Sequence, residues 1–174
     1  TIFDLSGMVT ILIQLKLLQK GYTFVHAGGV TKGKKAFLLA AWSEMGKSST
    51  IFGLAKRDFG VLGDDAVIVG NGMVYSFPQK AGIYFHSKNI ENLKLSPLDR
   101  AKVFVKYIVS KLPPLYLYID PNLRVDLSDL LPIKSSGTLE KVYFLEWGEG
   151  NSKLDKKTAI NKIISATVHS LFNF

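Results

Sequence analysis

Residues 36–50 of this 174-residue chain read AFLLAAWSEMGKSST, and they are the most informative part of the sequence about the fold. It opens with a run of apolar residues, 36–40, which is typical of a strand buried on both faces of a sheet. A short polar loop follows, and the pattern from Lys47 to Lys56 then predicts a helix. A buried strand, a loop ending in Gly-Lys-Ser and a helix, in this order, are the setting of a phosphate-binding loop.

Strands and helices alternate through the rest of the chain. Asn71-Gly72 between two apolar runs is the strongest signal for a β-hairpin, and Asp155 is placed to cap a last helix. Two further helices are predicted at 5–20 and 97–112, and further strands at 22–27, 59–62, 66–69, 73–77, 115–119 and 139–147, with a weaker strand at 83–85. The alternation indicates one α/β domain over residues 1–174 with a mixed sheet.

The composition is that of an ordinary globular protein, with 47% apolar and 21% charged residues. The absence of cysteine excludes a disulfide scaffold, a thiol nucleophile and a cysteine-ligated zinc site. A cysteine-free chain also fits a reducing interior, so we expect a cytoplasmic protein. The longest apolar run, 8–18, contains Gln14 and Lys16 and is too short to span a membrane. Because the chain begins with Thr1, we expect a fragment, with room for an upstream domain.

The chain is strongly basic, with a net charge of +8 from 22 basic and 14 acidic side chains. Only three of the basic residues are Arg, which is few for a protein that reads DNA bases through arginine. No stripe of aromatic and arginine residues accompanies the charge, so we do not expect a nucleic-acid partner. A lysine-coated surface is the simplest interpretation, and attraction of nucleotide phosphates or of an acidic partner is the alternative.

The loop before the second helix carries the residues expected to bind phosphate. In such loops, main-chain N–H groups converge on phosphate oxygens, and the helix N-terminus adds partial positive charge. Lys47 would reach the β- and γ-phosphates of a nucleotide, and the Ser48 hydroxyl would bind Mg²⁺. The candidate nucleotide-binding residues are Ser43, Glu44, Met45, Gly46, Lys47, Ser48 and Ser49. A chance Gly-Lys-Ser at a helix start is the alternative.

This loop departs from the usual pattern at three residues. Ala41 stands where glycine is usual, so its backbone must adopt a conformation open to any residue. Trp42 is bulky for its place, and Glu44 adds a negative charge close to the expected phosphates. Either side chain would weaken the affinity for a nucleotide.

Asp64 and Asp65 form a second candidate cluster, at the end of a predicted strand. Adjacent carboxylates repel, so one of the two pKa values tends to rise unless a cation such as Mg²⁺ intervenes. One Asp would then hold the metal or its water, and the other would accept a proton from an incoming hydroxyl. A simple turn at Gly63-Asp64-Asp65 is the alternative.

The histidines offer one further candidate. His26 precedes Gly28-Gly29 at the predicted end of a strand, where a hydrogen-bonded structural histidine is the alternative to a functional one. His86 and His169 have no partner motif, and we expect His169 to be structural. The three histidines are too far apart in the sequence to suggest a zinc site.

Taken together, these motifs resemble those of the HPr kinase/phosphorylase catalytic domain, a phosphoenolpyruvate-carboxykinase-like kinase fold. The resemblance rests on His26-Ala27-Gly28-Gly29-Val30, a buried strand, Gly46-Lys47-Ser48, and Gly63-Asp64-Asp65, and on the intervals between them. It covers residues 22–70 closely and the remainder only in general layout.

The resemblance implies a role for each matching residue. Lys47 and Ser48 would hold the β- and γ-phosphates and Mg²⁺, Asp65 would be the general base, and Asp64 would support the metal. His26 would lie beside the transferring phosphoryl group. The family transfers phosphate from ATP, typically to a protein serine, while some relatives act on small molecules. Members often assemble into rings, which leaves a homo-oligomer open.

One family motif is missing. The bifunctional enzymes carry a Glu-bearing Arg-Gly motif after the Asp pair, whereas residues 80–92 contain no Arg and only Glu91 as a distant replacement. We therefore expect neither phosphorolysis of phosphoserine nor action on HPr.

Two hypotheses about function follow. The first is an ATP- and Mg²⁺-dependent phosphotransferase that acts on a hydroxyl of a protein or small molecule, with Asp65, Lys47 and His26 as catalytic residues. The second is a nucleotide-binding module without catalysis, acting as a sensor or scaffold. The sequence leaves the choice between ATP and GTP open, as well as the acceptor.

Overall fold

The computed structural model describes residues 5–42, 45–77, 80–83, 97–110, 123–148 and 150–172. Within these ranges the helices are α1 (Leu5–Gln19), α2 (Lys47–Ala55), α3 (Pro97–Ser110), α4 (Leu127–Leu130) and α5 (Lys156–Phe172). The strands are β1 (Tyr22–Val25), β2 (Ala27–Lys32), β3 (Lys35–Ala41), β4 (Gly60–Gly63), β5 (Val67–Gly70), β6 (Met73–Ser76), β7 (Lys80–Ile83), β8 (Leu123–Asp126) and β9 (Ser136–Leu145). None of these described helices is long and apolar enough to cross a bilayer.

Seven of the strands form one mixed sheet, in the order β1-β5-β6-β9-β3-β2-β4. The β3–β9 pair is parallel, and the other neighbours are antiparallel. β7 and β8 pair separately as an antiparallel ribbon. The predicted fold class, a single α/β domain with a mixed sheet, is therefore confirmed.

The core lies on both faces of the sheet, which explains why β3 is an unbroken apolar run. Leu38 belongs to a buried cluster with Val67 and Val74, against which Ile163 of α5 packs. Leu39, the next residue along β3, belongs to a second cluster with Ile51 of α2. Since successive side chains of a strand point to opposite faces, α2 and α5 cover opposite faces of the sheet.

The predicted hairpin is present between β5 and β6. Asn71 and Gly72 both have positive φ, 52° and 71°, as the tight two-residue hairpin turns require. Gly70 pairs with Met73 across the turn. Asp155 also acts as predicted, because its Oδ1 accepts a hydrogen bond of 3.0 Å from the Thr158 N–H at the start of α5.

The C-terminal boundary of the strand predicted at 22–27 is wrong. β1 stops at Val25, the chain bends at His26, and Gly28 and Gly29 lie inside β2 instead of ending a strand. These two positions of β2 require glycine because their neighbours are close. A Cβ at Gly28 would collide with the Ile51 side chain of α2. The two glycines thus reflect close packing and not a stop signal.

Other differences lie in the second half of the chain. β8 and α4 were not predicted, and β9 begins at Ser136 and ends at Leu145, earlier than the predicted 139–147. The polar start of β9 forms a strand because Ser136 and Gly137 pair with β6. The predicted strand at 115–119 and the residues 84–85 of the weaker strand lie outside the described residues.

Candidate functional site

The sheet brings three of the predicted motifs to one edge. β2 pairs antiparallel with both β3 and β4, with Ala27 opposite Ala40 and Gly29 opposite Gly63. His26, the residue before β2, therefore lies near the end of β3, which leads into α2. It also lies near the end of β4, which the Asp pair follows.

Gly46 begins α2 in a conformation that favours glycine. Its φ of 80° and ψ of 16° are left-handed, and it caps the helix without a side-chain hydrogen bond. Its carbonyl accepts hydrogen bonds from the Thr50 N–H at 2.9 Å and the Thr50 hydroxyl at 3.0 Å. Of the other loop residues, Met45 is half-buried and Ser49 is exposed, while Ser43 and Glu44 lie outside the described residues.

Ala41 is accommodated without strain. It is the last residue of β3, it pairs with Leu145 of β9, and it is buried. It thus adopts the ordinary strand backbone that the sequence required of an alanine there. The next side chain, Trp42, packs edge-on against Phe144 of β9, with ring centroids 6.0 Å apart.

Lys47 is the centre of the site. Its side chain is only 9% exposed, and its Nζ lies 3.0 Å from His26 Nε2 and 3.2 Å from Asp65 Oδ1. Because a lysine ammonium only donates hydrogen bonds, Nε2 must accept, and the proton of a neutral His26 ring is assigned to Nδ1. The structure thus brings together three residues that are well separated in the sequence.

The two carboxylates of the Asp pair have different environments. Asp64 is 7% exposed, whereas the Asp65 side chain is 56% exposed. Burial, with the nearby charge of Asp65, raises the pKa of Asp64 to about 6, while the Ser48 hydrogen bond and the Lys47 charge oppose the rise. The connection after β4 therefore holds one buried carboxyl and one that solvent or a substrate can reach.

Asp64 and Ser48 are suited to a hard divalent cation. The Oδ1 of Asp64 is buried and has no hydrogen-bond partner within the described part of the chain, so an acceptor oxygen is left over. Carboxylate and hydroxyl oxygens are ligands that Mg²⁺ accepts. Among the described residues, no group of three His, Cys, Asp or Glu could hold a metal by itself. Mg²⁺ does not need one, since it usually shares few protein ligands with substrate phosphates.

One contact at the site was missed by the sequence analysis. The main-chain N–H of His26 donates to the Thr167 hydroxyl of α5 at 3.3 Å. A threonine within a helix gives no sequence signal for such a contact, because its partner lies 141 residues away.

Comparison with known proteins does not assign the chain to a family. A scan against protein-family models finds no match, and no curated protein is significantly similar to the chain. Function must therefore be inferred from the residues and their geometry.

Proposed function

We propose that this protein is an ATP- and Mg²⁺-dependent phosphotransferase of the HPr-kinase-like group, which transfers the γ-phosphoryl group to a hydroxyl. The observation that carries the proposal is the position of Lys47 Nζ, in contact with both His26 and Asp65 at the N-terminus of α2. A buried cation, a carboxylate and a helix N-terminus at one place suit an anionic substrate with a reacting hydroxyl.

The nucleotide phosphates would bind at the start of α2. The helix N-terminus carries partial positive charge, and its N-cap residue, Gly46, makes no side-chain hydrogen bond to it. Lys47 would exchange its contact with Asp65 for a phosphate oxygen, because a phosphate offers more negative charge than one carboxylate. His26 would keep Lys47 in place through its Nε2 and would lie beside the transferred group.

Asp65 is the better of the two carboxylates for a general base. In the transfer, the acceptor oxygen forms a bond to the γ-phosphorus, and the bond from that phosphorus to the β–γ bridging oxygen breaks. The electron pair of the broken bond leaves with ADP, and the acceptor proton passes to the Asp65 carboxylate. The exposed side chain of Asp65 can meet an acceptor, whereas Asp64 is buried.

Asp64 and Ser48 would hold the Mg²⁺ ion. The ion supplies positive charge that neutralises the phosphate oxygens as negative charge develops on the leaving group. The unpartnered Oδ1 of Asp64 and its position beside Ser48 support this assignment.

The test is a calorimetric titration with Mg-ATP and Mg-GTP, followed by an assay for ADP or GDP with L-serine and with seryl peptides as acceptors. We expect saturable binding and acceptor-dependent nucleoside diphosphate. No heat with either nucleotide would overturn the proposal. Binding without turnover under every acceptor would instead favour the non-catalytic nucleotide-binding module.

A further inference from the structure

His26 sits at a single-residue break between two strands. The pairing of β1 with β5 ends at Val25, and the pairing of β2 with β3 begins at Ala27. The main-chain N–H of His26 therefore belongs to neither ladder and needs another acceptor. Its acceptor is Thr167 Oγ1, at 3.3 Å.

Thr167 is held so that it can serve as this acceptor. Its hydroxyl donates to the Ile163 carbonyl one turn earlier in α5, at 2.8 Å, so the proton is committed and a lone pair remains for His26. The helix is fixed at this level because Ala166 is 2% exposed and Ile163 packs against the core cluster that contains Ala27. The same cluster thus anchors both ends of the hydrogen bond.

We propose that Thr167 is a positioning residue that sets the orientation of the His26 ring toward Lys47. The connection runs from the Thr167 hydroxyl to the His26 main chain, and then from His26 Nε2 to Lys47 Nζ. A shift of the His26 bend would therefore change where the ring lies beside Lys47 and beside the transferred phosphoryl group. The effect of Thr167 on catalysis rests on the proposed function, whereas the hydrogen bond between Thr167 and His26 does not depend on it.

Three variants of α5 separate this role from a general loss of packing. Thr167→Val keeps the shape of the side chain and removes the acceptor, whereas Thr167→Ser keeps the hydroxyl. Ser165→Ala is the matched control, since Ser165 lies on the same helix and is exposed.

The decisive measurement is the ¹⁵N spectrum of the His26 imidazole in nucleotide-free protein, at a pH where the ring is neutral. Wild type, Thr167→Ser and Ser165→Ala should show one tautomer, with the proton on Nδ1. Thr167→Val should show a mixture of tautomers. In the presence of Mg-ATP and an acceptor, its turnover should fall about tenfold while its Kd for ATP changes less than about twofold. A merely structural role would lower the melting temperature without changing the tautomer.

A spectrum of Thr167→Val identical to that of wild type would overturn the inference. If Thr167→Val does not fold, hydrogen exchange of the His26 N–H in the wild type decides instead: protection supports the bond, and an unprotected amide overturns it. Failure of ATP to bind would overturn the proposed function and the catalytic meaning of the contact, but it would leave the tautomer result unchanged. The two failures are therefore distinguishable.

Discussion

Lys47 carries its charge in a side chain that is 9% exposed, and within the described part of the chain its Nζ contacts His26 and Asp65. A buried ammonium is stabilised only where acceptors or negative charge surround it. A substrate phosphate would strengthen this environment, because it adds negative charge at a site with little solvent to screen it.

We predict that Lys47→Ala weakens ATP binding by about 3 kcal/mol, roughly a hundredfold. The loss has two parts: one cation fewer for the phosphates, and the Asp65 carboxylate left without the lysine that it pairs with. Calorimetry with Mg-ATP measures it. Lys35→Ala is the control, since Lys35 is an exposed lysine that pairs with Glu140, and we expect its affinity to equal that of wild type. Equal affinities for both variants would contradict the role of Lys47.

Asp65→Asn should separate binding from chemistry. The amide keeps the shape and the exposure of the side chain but cannot take the proton from the hydroxyl that receives the phosphoryl group. Turnover should therefore fall by about 10²–10⁴ while ATP still binds. Rates of ADP formation measure the loss, and Asp99→Asn on α3 serves as the control. Unchanged turnover would show that Asp65 is not the base.

The raised pKa of Asp64 should make the stability of the protein depend on pH. Its pKa is about 6 in the folded chain against an ordinary value of 3.8 for an aspartate, so the native state holds this proton over a range where the unfolded chain has released it. The free energy of unfolding should therefore fall by about 3 kcal/mol as the pH rises through this range in magnesium-free buffer. Urea denaturation at several pH values measures the change.

Asp64→Asn provides the comparison for that titration. The neutral amide has no proton to release, so the stability of this variant should change much less between the two pKa values. A slope equal to that of wild type would show that another group causes the dependence.

At the scale of elements, the N-cap glycine of α2 and the glycine within that helix have opposite requirements. Gly46 begins the helix with a φ of 80°, while Gly53 lies within the helix and has nothing within 4 Å of where its Cβ would be. An L-residue is strained at the first position, whereas alanine is the better helix former at the second.

The same substitution should therefore have opposite effects at these two places. We expect Gly46→Ala to destabilise the protein by about 1 kcal/mol and Gly53→Ala to stabilise it by about 1 kcal/mol. Chemical denaturation of the two variants measures both changes. A loss of stability in Gly53→Ala would contradict this account of the two positions.

Local signals in the sequence predicted several elements of the fold. The apolar run of β3, the Asn71-Gly72 turn and the Asp155 cap are all properties of a few adjacent residues, and each is where the sequence placed it. The strand end predicted at Gly28 and Gly29 was wrong because glycine is typical both of turns and of closely packed strands. At Gly28 only the position of Ile51 distinguishes these two roles.

At the scale of the whole molecule, the sequence identified the candidate residues but not their environments. Asp64 and Asp65 are neighbours with equal chemistry, and only the fold makes one buried and the other exposed. Thr167 could not be predicted, since its contact with His26 depends on α5 packing across the sheet. Burial and long-range contacts are tertiary properties that one sequence does not reveal.

The parallel pair at the middle of the sheet has a consequence for biosynthesis. Every candidate residue of the site lies between 26 and 65, yet β3, which leads into the Gly-Lys-Ser loop, pairs along its length with residues 138–145. β6 also pairs with β9, so the sheet cannot close until that strand leaves the ribosome. A nascent chain would carry the complete motif on an unfinished scaffold, and the geometry of the candidate site would form only after β9 has been synthesised.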